Sequence, residues 1–73
     1  MAIEVRAHIT GTVWKIEVKP GDEVESGDTV AILESMKMEM PVETDDDGVV
    51  ETIHVAEGQA VKEGDLLVTL KEP

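Results

Sequence analysis

One lysine stands out among the few cations of this acidic chain. Lys37 lies between two methionines, Met36 and Met38, and Glu34 and Glu39 lie outside that trio. Flexible thioether side chains suit adaptable recognition, so methionines exposed beside a lysine indicate a surface that a partner protein binds. The same spacing also fits a solvated strand lysine whose neighbouring methionines lie in the core. The spacing alone leaves both interpretations open.

Groups for conventional catalysis are scarce. The chain has no cysteine and no tyrosine, and its serines are Ser26 and Ser35. His8 and His54 have no partner at a metal-site spacing, and the pattern places each in a strand, where a solvated or packed histidine is typical. We therefore expect neither an enzyme active site nor a bound metal ion.

Two other features could bind ligands, but each favours a structural interpretation. The three aspartates at 45–47 lack the alternating oxygen ligands and the closing glutamate of a calcium loop, so a solvated turn before Gly48 is predicted. Trp14, the one aromatic residue, is expected to be a packing residue or a partly exposed patch in a valine-rich strand.

Charge and hydropathy exclude several classes of partner. Six basic and 17 acidic residues give a formal net charge of −11, which repels phosphate backbones and anionic lipid, so we expect neither nucleic-acid nor membrane binding. No apolar run approaches the roughly 20 residues of a membrane helix, and the first ten residues lack the apolar region of a signal peptide. With no cysteine to oxidise, the expectation is a soluble, monomeric, cytoplasmic domain.

The elements that must position Lys37 are predicted to be β-strands. Valine, isoleucine and leucine supply nearly all the apolar bulk, and β-branched residues favour pleated surfaces. Clusters of Gly, Pro, Asp and Ser separate the apolar runs, and no run keeps a helical period. An all-β sandwich or barrel follows. The apolar positions at a spacing near two are Ile3 and Val5; Val13, Ile16 and Val18; Val30 and Ile32; Val49, Ile53 and Val55; and Leu66, Val68 and Leu70.

The chain contains an internal duplication. Shifting the sequence by 37 places aligns residues 11–34 with residues 48–71, and nine of those 24 positions are identical. The identical positions are glycines, apolar residues and one turn aspartate, Asp28 with Asp65, whereas the other charged positions vary. A repeat that occurs only twice suggests a closed pseudo-two-fold domain, since solenoids generally need at least three units. We expect one domain over 1–73, with halves of about 1–37 and 38–73.

The duplication predicts a chain reversal at Lys37. The junction between the copies, at Met36 and Lys37, is equivalent to the place where the N- and C-terminal strands meet, so it should form an exposed turn at the opposite end of the molecule. The segment 34–40 has no Gly, Asn or Pro at its centre, and local propensity would continue a single strand there. A reversal would hold a non-glycine residue at positive φ, and such strain tends to persist at functional sites.

The segment 34–40, ESMKMEM, resembles the attachment motif of biotinyl domains, whose usual form is Glu-Ala-Met-Lys-Met. The resemblance extends over essentially the whole chain, including the glycines and the Gly-Asp turns of both copies. It implies a flattened β-barrel, or sandwich, of two four-stranded antiparallel sheets with pseudo-two-fold symmetry. The lysine then lies at a hairpin tip remote from the chain ends.

This resemblance implies a carrier and not a catalyst. Lys37 would accept biotin from a biotin protein ligase and shuttle carboxylate between a biotin carboxylase site and a carboxyltransferase site. Met36 and Met38 would form the recognition surface, together with Ser35 beside them, while Glu34 and Glu39 would set local charge and register. Ser35 stands where alanine is commoner, a small change that should not block recognition.

Two alternatives remain open. Lipoyl domains share the fold and present a lysine at the same turn, commonly after an acidic residue, so a lipoyl ligase could attach lipoate to Lys37 instead of biotin or as well as it. An unmodified structural adaptor module with this fold is a second alternative, against which the intact Met-Lys-Met argues. The chain also lacks the protruding loop of some carboxyl carriers and a Pro/Ala-rich linker, so it resembles either a stand-alone attachment protein or the excised C-terminal domain of a carboxylase.

Overall fold

A computed structural model describes residues 2–73 of the chain, which form eight strands in two antiparallel four-stranded sheets. The predicted fold class is confirmed. The first sheet has the order β1-β8-β6-β3 and the second the order β5-β4-β2-β7. The strands are β1 (Ala2–Arg6), β2 (Gly11–Ile16), β3 (Glu23–Val24), β4 (Thr29–Ser35), β5 (Met38–Glu43), β6 (Gly48–Ile53), β7 (Ala60–Val61) and β8 (Leu66–Lys71).

The two sheets are related by the same shift of 37 residues that aligns the sequence. Adding 37 to the bounds of β2 and β3 gives the bounds of β6 and β7, and β4 and β5 correspond to β8 and β1 within one residue at an end. The order of one sheet therefore maps strand by strand onto the order of the other. Each position in one sheet has a structural counterpart in the other, which makes the two halves directly comparable.

The core lies between the two sheets and is built from small and medium aliphatic side chains. Three leucines in it, Leu33, Leu67 and Leu70, are fully buried. Valines supply most of the rest, since stiff β-branched side chains pack well on a pleated surface. The buried apolar cluster comprises Val5, Ala7, Val13, Val18, Val24, Val30, Leu33, Val42, Val50, Val61, Leu67, Val68 and Leu70.

Four turns of one kind connect the strands. In each, the backbone N–H of the fourth residue donates to the carbonyl of the first, and the third residue is a glycine with φ between 89° and 95°. This is the pattern of a type II turn, which favours glycine at its third position. The fourth side chain, an aspartate in three turns and Gln59 in the other, accepts from the N–H of the first residue. The turns span 19–22, 25–28, 56–59 and 62–65.

Bulges alter the strand alternation that the sequence predicts. In β4, the register with β5 shifts between Thr29 and Ala31, and Val30 and Ala31 are both buried. The expectation that Val30 and Ile32 lie on the same face of the strand is therefore wrong. Val30 and Leu33 are in the core, whereas Ile32 is half-buried on the outer face. A bulge inserts one residue against the partner strand, and this changes the face on which the following residues lie.

The predicted positions of the histidines are also wrong. His8 lies in the bend between β1 and β2, and His54 directly follows β6, so neither belongs to a strand. Both are exposed. His54 Nε2 lies 2.6 Å from the Oγ1 of Thr69. Within residues 2–73, no helix is long and apolar enough to cross a membrane.

Candidate carrier site

The strands β4 and β5 form a hairpin closed by Met36 and Lys37. Ser35 pairs with Met38 at its tip, and Glu34 pairs with Glu39 one step below. Met36 has φ 53° and Lys37 has φ 66°, the pattern of a two-residue type I′ turn, whose twist matches that of the flanking strands. The predicted reversal is confirmed, and the alternative of one continuous strand through 34–40 is wrong.

The turn is conformationally strained. Type I′ turns favour Asn and Gly at both central positions, whereas this turn places two long side chains there. Met36 and Lys37 are the non-glycine residues with positive φ among those described, and each such residue costs of order 1–3 kcal/mol. Strain of this kind persists where the surrounding structure fixes it, and here six register pairs hold β4 against β5.

The hairpin tip lies at the end of the molecule opposite the pair formed by Ala2 and Lys71. Residues 17–20 connect the end of β2 to Gly21, whose N–H donates to the carbonyl of Val50 in the other sheet. Because this connection is short, the end of β2 at Ile16 lies close to the part of β6 that pairs with Lys71. The hairpin adjoins the opposite end of β2, where Thr12 pairs with Glu34. The described residues extend 35 Å along their longest axis.

The side chains at the tip project into solvent. Met36 is 93% exposed and Met38 is 60% exposed, so neither belongs to the core. Lys37 is exposed, and no hydrogen bond or ion pair joins its amine to the residues that the structure describes. Its ammonium group is therefore available to a partner. The interpretation of a strand lysine with core methionines is wrong.

The base of the hairpin combines like charges with a close backbone contact. Glu34 and Glu39 are both exposed and lie directly opposite each other, an arrangement that is mildly destabilising. Beside them, β2 approaches so closely that a Cβ on Gly11 would lie 2.5 Å from the Glu34 carbonyl oxygen. Gly11 is thus a positioning residue for the hairpin. Its recurrence as Gly48 marked it as structural, but sequence reasoning did not connect it with the site.

Trp14 lies in the neighbouring strand and is 49% exposed, so it forms a surface patch and not a packed core residue. The register of β2 with β4 shifts between Val13 and Lys15, which makes Trp14 the extra residue of a bulge. This bulge places Trp14 on the outer face of the sheet that carries the hairpin, since Val13 beside it is buried.

The other candidate residues do not converge on the hairpin. Asp45, Asp46 and Asp47 are exposed, and Asp47 accepts a hydrogen bond from the backbone N–H of Ser26. Among residues 2–73, no group of three or more His, Asp or Glu side chains is arranged to hold a metal ion. Two surface grooves, of about 330 Å³ between β1 and β5 and about 390 Å³ beside β3, do not include the turn. The turn therefore presents a side chain to solvent and does not line either groove.

Comparison with known proteins agrees with this geometry. A profile of the family described as biotin-requiring enzyme (Biotin_lipoyl) matches residues 1–70. The biotin/lipoyl attachment protein of Bacillus subtilis is 48% identical over 66 residues, which cover 90% of each chain. A homologue of biotinylated protein TB7.3 from Mycobacterium leprae is 40% identical over 70 residues, which cover 96% of this chain and 99% of that one.

A solved structure shows the same fold within a much larger protein. The crystal structure of Kluyveromyces lactis urea carboxylase superposes with a TM-score of 0.92 at 38% identity, and the match covers 97% of this chain and 6% of that one. The fold and the presented lysine define a carrier domain. The chain belongs to the biotin/lipoyl attachment family, whose members are carriers and not catalysts, with biotin as the covalently bound group.

Proposed function

We propose that Lys37 is the residue that accepts biotin. The observation that carries this proposal is the turn itself: a lysine without a partner among the described residues, held at positive φ at the tip of a hairpin. Lys15 lies within 4.0 Å of a Glu17 carboxylate oxygen, within a strand. Lys62 lies in a loop, where its backbone N–H donates to Asp65. Neither has the exposed hairpin geometry of Lys37.

A biotin protein ligase would have to supply the chemistry. The ammonium group loses one proton to become a nucleophilic amine, which attacks the activated carboxyl carbon of biotin. The C–N bond forms, the activating group leaves with the electron pair of its bond to carbon, and the second proton passes to a base. No base contacts the Lys37 amine among the residues described, so deprotonation and activation fall to the ligase. The product is a neutral amide, and the formal net charge changes from −11 to −12.

Once loaded, the domain would carry carboxylate between a biotin carboxylase site and a carboxyltransferase site. An exposed tip at one end of a 35 Å molecule lets the biotin enter a partner's cleft while the body of the domain stays outside. Tethering raises the effective concentration of the group at both sites, to the millimolar range for short flexible links. The likeness to the urea carboxylase domain supports this role, and the partner enzyme would determine which substrate is carboxylated.

The test is co-expression with a biotin protein ligase, followed by intact-mass measurement. We expect the wild-type chain to gain one biotin and Lys37→Arg to gain none, although arginine keeps the positive charge. Lys15→Arg and Lys62→Arg are matched controls, and both should load fully. Biotin on Lys15 or Lys62, or undiminished loading of Lys37→Arg, would refute the assignment.

Lipoate is the second candidate for the same lysine. The name of the Bacillus subtilis relative includes both groups, and this supports dual acceptance. The flanking Met36 and Met38 favour biotin, because lipoyl domains commonly place an acidic residue before the lysine. Separate co-expression with a biotin ligase and with a lipoyl ligase distinguishes the two by the added mass. Faster loading by the lipoyl ligase would show that Lys37 is a better acceptor of lipoate than of biotin.

A further inference from the structure

The outer faces of the two sheets differ at equivalent positions. Three apolar residues lie side by side across the sheet that carries the hairpin, and polar residues take their place in the other sheet. The outer row consists of Trp14, Ile32 and Pro41, and the counterpart row, displaced by 37 residues, consists of Glu51, Thr69 and Glu4.

The register shows that the outer row is continuous. Ile32 in β4 pairs with Pro41 in β5 on one side and with Lys15 in β2 on the other, and Trp14 is the bulged residue next to Lys15. Trp14 and Pro41 are exposed, and Ile32 is half-buried. All three lie on the outer face, because chain neighbours of each, such as Leu33 beside Ile32, are buried.

The fold does not require apolar residues at these positions. The counterpart row lies on the same backbone framework and is polar throughout. Apolar surface in contact with water is unfavourable, and a contiguous apolar patch rimmed by polar residues marks an interaction site. Tryptophan is also among the residues that most often dominate binding at such sites. The shared backbone framework therefore does not account for the apolar row.

We infer that the outer row is the docking surface for the enzyme that acylates Lys37; this rests on the proposed function above. Ser35, at the turn, is three residues from Ile32 along β4, about 10 Å at roughly 3.3 Å per residue. A standard interface covers about 800 Å² of each partner, which is wide enough to include both the tip and the row. The same two strands hold both features, so the row is rigidly placed with respect to the lysine.

A ligase fits this surface better than the enzymes that act on the loaded domain. The unmodified lysine has only its four-carbon stem, so a ligase must approach the hairpin closely enough to contact the strands that carry it. The attached biotin lengthens the arm, and later sites can be reached with less contact to the sheet. The rim of the row is acidic on balance: Glu34, Glu39 and Glu43 are exposed on the same two strands, and the cation beside the row, Lys15, lies 4.0 Å from a Glu17 carboxylate oxygen. The matching ligase surface has an apolar centre and a basic rim.

The test exchanges residues of the outer row for their own counterparts. Trp14→Glu, Ile32→Thr and Pro41→Glu are assayed for the rate of biotin loading by a purified biotin protein ligase. We expect kcat/KM to fall about tenfold for Trp14→Glu and about threefold for each of the others, mainly through KM. Thr52→Glu adds the same charge to the opposite face, at the counterpart of Lys15, and should stay within about twofold of wild type. Added salt should lower the wild-type kcat/KM, because the acidic rim faces a basic surface.

Controls separate this inference from the function on which it rests. Circular dichroism and thermal unfolding identify any variant that fails to fold, and Ile32→Thr, the mildest change, then decides the matter alone. If wild-type Lys37 is not biotinylated, the proposed function fails. If Lys37 loads normally and Trp14→Glu and Ile32→Thr load equally fast, only the docking surface is refuted. Sedimentation measures the oligomeric state of the wild type and of Trp14→Glu. A wild-type dimer that Trp14→Glu abolishes would show that the row binds a second copy of the chain, and this would overturn the inference.

Discussion

The hairpin of β4 and β5 and the pair formed by β8 and β1 occupy equivalent places in the two sheets, yet only the hairpin is closed by a turn. Glu34 pairs with Glu39 at its base, and the equivalent pair in the other sheet is Lys71 with Ala2. Beyond Glu34 and Glu39, the chain reverses through two residues at positive φ and presents Lys37. The same strand framework thus ends in an exposed lysine turn in one half and in the first and last strands, β1 and β8, in the other.

A second contrast separates the interior from the surface. The copies agree at turn glycines and core positions, for example Gly21 with Gly58 and Leu33 with Leu70. They disagree on the outer face, where Trp14 corresponds to Glu51. Residues that the fold needs are similar in both halves, as the buried Val30 and Leu67 are, because both halves have the same backbone. Residues that serve a partner are needed in only one half, so the differences between the copies point to function.

Truncating the core at equivalent positions gives the largest expected effect. Leu33 and Leu70 are both fully buried and belong to one cluster, so Leu33→Ala and Leu70→Ala should each lower the free energy of unfolding by about 2–5 kcal/mol. The two losses should agree within about 1 kcal/mol. Urea denaturation followed by circular dichroism measures both, and the half-buried Leu66→Ala should lose less. Losses that differ by several kcal/mol would contradict the equivalence of the halves.

Adding a methyl group at the paired glycines should separate stability from function. The Cβ of Gly11→Ala would lie 2.5 Å from the Glu34 carbonyl oxygen, and that of Gly48→Ala would lie 2.9 Å from the Lys71 carbonyl oxygen. Backbone must move in both variants, and each should lose about 1–3 kcal/mol in the free energy of unfolding, with Gly11→Ala losing more.

The two glycine variants should differ clearly in biotin loading. Gly11→Ala displaces the base of the hairpin, so its loading rate should fall, whereas Gly48→Ala displaces the opposite end and should load at the wild-type rate. Denaturation curves and loading rates are measured on the same samples under conditions where both variants are folded. Equal loading by the two would show that the position of the hairpin base does not influence recognition of Lys37.

The sequence predicts the architecture well because the duplication supplies a long-range constraint. Local preference at Met36 and Lys37 favours a continuous strand, and only the equivalence of the junction with the chain ends predicts the reversal. The predicted face of Ile32 and the predicted strand position of His54 are wrong because they rest on the local pattern alone. Bulges and strand ends depend on how neighbouring strands are paired, and a period-two pattern read along one strand contains no information about its partners.

The outer row was missed for a related reason. In the sequence, Trp14 is an isolated aromatic residue and Ile32 is one apolar position of a period-two pattern, and no pattern along a single strand links Pro41 with them. Strand order and register bring these three together from three strands. A signal did exist in the sequence: at a shift of 37, each of them aligns with a polar residue. The differences between the copies, in addition to the identities, therefore carry information about the surface, and the strand register is needed to join these three positions into a row.

The smallest expected effect concerns the turn that distinguishes the halves. Met36→Gly removes a non-glycine residue from positive φ, and it should raise the free energy of unfolding by about 0.5–1 kcal/mol, since greater freedom of the unfolded chain offsets part of the gain. The reverse exchange, Gly64→Met, is the matched control: φ is 93° there and nothing lies within 4 Å of an added Cβ, so its loss of stability of about 1–2 kcal/mol reflects backbone strain, partly offset by the unfolded chain, with no steric contact. Thermal unfolding measures the change in stability of both variants. A loading assay then measures the rate at which Met36→Gly accepts biotin. If Met36→Gly is more stable but accepts biotin more slowly, Met36 contributes to recognition by the ligase. If it is more stable and accepts biotin at the wild-type rate, recognition is limited to Lys37, Met38 and the sheet below them.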